Sequence, residues 1–168
     1  SGEGLVKVTG EVGAGKTMLC RMLLERLPSH VDAIFLPNPA LSEDELLLTL
    51  ADELKIQFHS ERALQKIRLI EEMLIAKYAA GRQVVLLVDE AHAMPKGTLE
   101  LIRLLSNLDS GHQKLLQIVL FGQLELDEIL QQHELRALRE RVSYSLDVPL
   151  FNTAEVGDYL ACRLFAAG

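Results

Sequence analysis

The sequence predicts an α/β fold, a five-stranded parallel sheet with helices on both faces. Three observations carry this. Short apolar runs alternate with amphipathic stretches along the whole chain. Two of the runs, 84–88 and 116–121, are apolar with little or no alternation, as strands covered on both faces are. The first run leads into Gly10-Glu11-Val12-Gly13-Ala14-Gly15-Lys16-Thr17, a G-x-x-x-x-G-K-T octapeptide that belongs between a strand and a helix.

Composition sets the outer bounds. The chain has 168 residues, enough for one domain with a sizeable core. It is 49% hydrophobic and 24% charged, an ordinary globular balance rather than a disordered one. No apolar run approaches the roughly eighteen residues that would span a bilayer. No signal peptide precedes the first strand. The net charge of −7 argues against bulk nucleic-acid binding, which needs clustered Lys and Arg. Cys20 and Cys162 lie far apart in sequence and read as small buried thiols, which fits a reducing cytoplasm.

The elements follow in order. Residues 5–9 read as the first strand. Residues 18–27 read as a helix, with Cys20, Leu23, Leu24 and Leu27 on its apolar face and Pro28 stopping it. Residues 33–36 form a second strand, closed by Pro37-Asn38-Pro39. Ser42 and Glu45 spell a capping box that opens a helix through Leu54. Ser60 is placed to cap a longer helix whose buried stripe is Leu64, Ile67, Ile70, Leu74 and Tyr78, with Gly81 at its end. The third strand, 84–88, runs into Asp89-Glu90-Ala91-His92. A helix from Pro95 to Asn107 comes next, then a turn at Asp109-Ser110-Gly111. The fourth strand ends at Gly122-Gln123. Two short helices, 126–131 and 134–141, precede a fifth strand over 142–148 and a last helix over 154–165.

The octapeptide is a phosphate-binding loop, so the fold is that of a P-loop nucleotide triphosphatase. Its glycines let backbone N–H groups turn inward onto phosphate oxygens, and the following helix aims its positive end at the same place. Gly10, Glu11, Val12, Gly13, Ala14, Gly15, Lys16, Thr17 and Met18 are therefore the expected ATP or ADP contacts. Lys16 is expected on the β and γ phosphates, and the Thr17 hydroxyl on Mg²⁺. Asp89 closes a buried strand, which suits a carboxylate that helps hold Mg²⁺ (the Walker B role). Glu90 follows it, placed to activate a water against the γ phosphate. A plainer reading of the two acids is a solvated helix start, favoured by the helix dipole; downstream of a P-loop the catalytic reading prevails. Asp89-Glu90-Ala91-His92 also spells a DEAH helicase box, but a helicase needs two such domains. His92 reads as a helix-start residue beside the site. Gln123 ends the neighbouring strand, where it can bond the γ phosphate or the attacking water as a sensor. Arg136, Arg139 and Arg141 crowd one short helix in an acidic chain, and one of them can act as an arginine finger toward a neighbouring subunit. With Glu134 and Glu140 beside them they also read as a solvated face. Asn38 can hydrogen-bond Glu90 and hold it off water, a polar switch.

Together these residues resemble the AAA+ ATPases of bacterial pilus and secretion systems, the MSHA pilus biogenesis and general-secretion (ExeA/GspA) family. The stretches that carry the resemblance are 2–17, 36–39, 88–91, 104–108, 114–123 and 138–142. The resemblance implies Walker A at 10–17, Walker B at Asp89 and Glu90, a sensor at Gln123, and a finger on Arg141 with Arg139 second. It also implies a core over 1–150, the beginning of a helical lid over 151–168, and an N-terminal segment before Ser1. The family more often has Gln where this chain has His92. By the same token the chain is expected to hydrolyse ATP with Mg²⁺ and to assemble as a homo-oligomeric ring or arc, with six subunits the expected number. Pilus or secretion proteins of the inner membrane would be its partners, with no direct nucleic-acid contact. It would be cytoplasmic and meet the membrane only through partners or further segments. Two other readings share much of this core: a DNA-targeting AAA+ regulator of the transposition type, and a nucleotide-switched scaffold with little turnover.

Overall fold

The computed structural model of the chain describes residues 4–11, 13, 15–148 and 153–165. Five strands form one parallel sheet: β1 (Leu5–Thr9), β2 (Val31–Leu36), β3 (Gln83–Val88), β4 (Leu116–Gly122) and β5 (Tyr144–Asp147), in the order β2-β3-β4-β1-β5. Among the described residues, seven α-helices connect and flank them: α1 (Lys16–Glu25), α2 (Glu43–Leu54), α3 (Ala63–Ala79), α4 (Lys96–Ser106), α5 (Glu125–Leu130), α6 (Arg136–Arg141) and α7 (Thr153–Phe165).

The strand order decides which face each helix covers. The step from β1 to β2 crosses the sheet in one direction, and the steps from β2 through β3 and β4 to β5 run back in the other. Right-handed crossovers then put the first helix on one face and the later connecting helices on the opposite one. The core divides accordingly. Leu19, Cys20 and Leu23 of α1 pack with Leu160, Leu164 and Phe165 of α7 against Val6, Val8, Val85, Leu87, Val119 and Phe121. Leucines and isoleucines of α2 to α6 cover Leu5, Val84, Leu86, Val88, Leu116, Ile118 and Leu120. Strand residues alternate between the two clusters, the pleat's period of two. β3 and β4 are central and covered on both sides, which is why they read as apolar runs.

Several boundaries differ from the sequence reading, each for a local reason. α1 starts at Lys16, two residues early, because the left-handed Gly15 hands the chain straight into the helix. β2 gains Val31 and Asp32 through pairing with β3. Ser42 caps α2 as expected, its hydroxyl accepting from Glu45 N at 3.2 Å. Ser60 does not cap α3: its hydroxyl accepts from Arg62 N at 3.1 Å in a local turn, and the helix opens at Ala63 with Arg62 at the N-cap. The α3 stripe is buried only at its middle. Ile70 and Leu74 are in the core, whereas Leu64 and Tyr78 are 78% and 40% exposed, since at about 3.6 residues per turn they sit away from the face that carries Ile70 and Leu74. Lys66 takes a buried place instead, its amine 3.8 Å from both Asp44 and Glu61. Of the two cysteines expected in the core, Cys20 is buried and Cys162 is exposed, because α7 turns its Leu160–Leu164 edge to α1 and leaves Cys162 on the outer side.

Candidate functional site

The carboxyl ends of β1, β3 and β4 lie side by side, and the candidate residues gather there. Gly10 N donates to Gly122 O at 3.2 Å, tying the start of the loop to the end of β4. Gly13 and Gly15 have φ of 86° and 85°, a left-handed backbone that favours glycine. A Cβ at Gly13 would meet nothing within 4 Å, so conformation rather than space calls for glycine there. No side chain caps α1, which leaves its first N–H groups for a ligand. Val12 and Ala14 lie outside the described residues.

Lys16 is buried, and its amine donates to Gly10 O and Glu11 O, both at 2.8 Å. Burial lowers its pKa below the usual lysine range, while the charges of Glu90 and Asp89 push it back up. Thr17 Oγ1 donates to Asp89 Oδ2 at 2.8 Å. The other Asp89 oxygen accepts from Glu90 N at 2.9 Å, so a carboxylate only 5% exposed has a partner at each oxygen. Asp89 N donates to Leu36 O, which extends the β2–β3 ladder one residue and fixes the acid at its end.

Glu90 occupies the left-handed region with φ 55° and ψ 40°, unusual for a residue with a side chain. Its Oε2 lies 2.9 Å from His92 Nε2, and Glu125 Oε1 is 3.5 Å from the same nitrogen. His92 Nδ1 accepts from Gln123 N at 3.2 Å. Gly13, Gly15, Lys16, Thr17, Glu90 and Gln123 line one cleft of about 280 Å³. A larger hollow of about 650 Å³ lies between α2 and α3, lined by Asp44, Phe58 and Lys66 among others, and holds none of the candidate residues.

The structure thus brings Lys16, Thr17, Asp89, Glu90 and Gln123 together across three strand ends. It adds His92, which sequence reasoning placed only beside the site. Glu11 contributes its carbonyl to Lys16, and Met18 is exposed on the first turn of α1. Asn38 is not joined to Glu90: its Oδ1 accepts from Ala40 N at 3.4 Å, and His92 is the partner of Glu90. The three arginines do not line the cleft. Arg136 pairs with Glu140 at 3.0 Å, and Arg139 donates to Leu130 O at 3.0 Å and Gln131 Oε1 at 3.3 Å. Arg141 ends α6 exposed to solvent.

The donor set suits a hard divalent cation completed by substrate and water. No cluster of three or more metal-ligating side chains occurs among the described residues. Thr17 and Asp89 offer one hydroxyl and one carboxylate. That is how Mg²⁺ is held in nucleotide sites, the remaining positions going to phosphate oxygens and water. The glycine cradle and the buried ammonium beside this pair suit a triphosphate.

Comparison with known proteins bears on the family and the fold. The AAA domain family matches residues 1–130. The general secretion pathway protein A of Aeromonas hydrophila is 40% identical over 168 residues, 99% of this chain and 31% of that protein. The chain therefore spans about a third of the length of the relative it matches. Among solved structures, the Aeropyrum pernix ORC2 protein in its ADP form superposes with a TM-score of 0.68 at 15% identity, covering 95% of this chain and 45% of that one. Cdc6p from Pyrobaculum aerophilum gives 0.62 at 19% identity, covering 95% and 42%. The Aeropyrum pernix ORC1 protein, solved in complex with DNA, gives 0.64 at 19% identity, covering 94% and 42%. At such identities the structural likeness speaks to fold alone, and it is the fold described above. From the sequence match over residues 1–130, the chain belongs to the AAA domain family.

Proposed function

We propose that this chain binds ATP with Mg²⁺ and hydrolyses it to ADP and phosphate, as the ATPase core of a protein that supports a secretion apparatus or an MSHA-type (type IV) pilus. The observation that carries the reading is the 2.8 Å bond between Thr17 and Asp89, in register with Lys16 and Glu90 in one cleft. The 40% identity to general secretion pathway protein A supports the cellular setting.

Each residue has a task. Lys16 exchanges the Gly10 and Glu11 carbonyls for the β and γ phosphates, which also restores the charge that burial disfavours. Thr17 and Asp89 would hold Mg²⁺, which when bound neutralises charge on the β and γ oxygens. Glu90 orients a water and accepts its proton as the water oxygen bonds to the γ phosphorus and the bond to the β–γ bridging oxygen breaks. Gln123 hydrogen-bonds the γ phosphate or that water. Arg141 reaches the site of a neighbouring copy and steadies charge on the transferring phosphoryl group, so turnover depends on self-assembly. Arg139 is the second choice for this finger, since its guanidinium is already engaged with α5. Asn38 keeps a role as a switch only if its loop moves toward Glu90 when nucleotide binds. Inner-membrane proteins of the apparatus are the proposed partners, in the cytoplasm. A chain with net charge −7 gives no support to a direct nucleic-acid partner.

The test is equilibrium binding of ATP in the presence of Mg²⁺. Lys16→Ala is expected to lose tight binding. A Lys16→Ala variant that binds ATP like wild type would place the nucleotide elsewhere.

A further inference from the structure

The geometry points to His92 as a positioning residue for Glu90, coupling it to the sensor end of β4. This rests on the reading of Glu90 as the group that activates water. Gln123 N donates to His92 Nδ1 at 3.2 Å, so that nitrogen is an acceptor and the proton of the neutral ring sits on Nε2. Nε2–H then lies 2.9 Å from Glu90 Oε2, within reach of a hydrogen bond once the carboxylate turns onto it. The chain of contacts runs from the end of β4 through one imidazole to the carboxylate after β3, with Gln123 and His92 themselves 31 residues apart in sequence.

Two features favour a built arrangement over chance proximity. The ring is 13% exposed, so it is held rather than waving in solvent. Glu90 is fixed in a left-handed backbone conformation that costs energy for a residue with a side chain, and its carboxylate lies beside His92 while it lines the cleft.

The division of labour follows. With Oε2 occupied by His92, Oε1 is left to face a water in the cleft. The ring fixes which oxygen does the work, as an orienting partner does for any catalytic base. Glu125 Oε1, 3.5 Å from Nε2, is a second acceptor for the same proton. The imidazole thus links the backbone of Gln123 to the Glu90 carboxylate without any direct bond between Gln123 and Glu90.

The test compares His92→Ala, His92→Gln, Glu90→Gln and the double variant Glu90→Gln/His92→Ala in phosphate release, ATP affinity and melting temperature. His92→Ala is expected to lower kcat at least about 10-fold with ATP affinity and melting temperature held. His92→Gln, which keeps an N–H donor, is expected to recover part of the loss. The double variant is expected to be no slower than Glu90→Gln alone, because His92 acts only through Glu90. Unchanged kcat in His92→Ala overturns the proposal, as does a parallel fall in affinity and melting temperature. If Glu90→Gln itself turns over like wild type, the reading of Glu90 fails instead. A readout free of turnover stands beside these: nitrogen-15 NMR of the histidine rings at about pH 8, above the ordinary histidine range. The Nε2–H tautomer is expected for His92, with a shift on Glu90→Gln. An Nδ1–H tautomer overturns the proposal whatever the activity.

Discussion

Cys20 shows how far one residue's setting departs from its ordinary chemistry. It lies in the core under the phosphate loop, and its thiol is pushed up to about 12 by burial first and the nearby charge of Asp89 second. A thiol held protonated is a poor nucleophile. Native protein is expected to take up one equivalent of a thiol reagent quickly, at the exposed Cys162, and the second only on unfolding. Two fast thiols in the native state would contradict the burial of α1. The sign of the pH effect follows: the folded state favours the protonated thiol, so this contribution is full below the unfolded thiol value and is lost as pH rises toward about 12. At this scale the sequence was readable wherever chemistry depends on near neighbours. Lys16, Thr17, Asp89 and Glu90 sit where spacing put them, because a loop and a strand end dictate their own side chains. His92 was not readable in the same way. Its partner Gln123 is brought near by β3–β4 pairing, which no local pattern encodes.

Elements are joined to one another by a few charged clamps as well as by the core. Asp32 on β2 accepts from Arg82 at 2.6 and 3.0 Å and from Lys77, near the end of α3, at 2.8 Å. Hydrogen bonds from Arg82 first, then Lys77, hold its carboxyl well below the usual carboxylate range. Its contribution is therefore full above the unfolded aspartate value of about 4 and is lost as pH falls below it. Asp32→Asn is expected to cost about 1–2 kcal/mol near neutral pH. The difference from wild type in urea unfolding should begin to shrink below about pH 4 and go on shrinking as pH falls toward the depressed carboxyl value; a gap independent of pH would mean that packing, not charge, joins β2 to α3. The same scale explains what periodicity missed in α3. A stripe read at spacings of three and four drifts around the helix, so Leu64 and Tyr78 lie off the face that Lys66, Ile70 and Leu74 bury. Ser60 was a fair cap candidate whose hydroxyl found a nearer N–H. α2 ends on Lys55 with φ 60°, a left-handed cap that glycine usually supplies and that a lysine does not announce.

The whole molecule places Lys16, Thr17, Asp89, Glu90 and Gln123 together at the carboxyl ends of three strands. Strand order alone does this, since β3, β4 and β1 are neighbours and all three end on the same side. The parallel sheet was legible as soon as the alternation of elements and the phosphate loop were recognised, whereas the strand order came only with the pairing. Arg141 is exposed at the end of α6, outside the cleft. If neighbouring copies complete each other, specific activity should climb with protein concentration, and Arg141→Ala should remove that rise while keeping nucleotide affinity. A finger residue is worth about 10³–10⁵ in rate where it has been separated from the rest. Flat activity with concentration would count against a shared site. The central claim is narrower: that this cleft turns over ATP through Glu90. It is met most directly by phosphate release with Mg²⁺ and ATP, comparing wild type with Glu90→Gln at a concentration where wild-type activity has levelled off. The account predicts a loss of about 10²–10⁴ in rate with ATP still bound. Equal rates in the two proteins would contradict it.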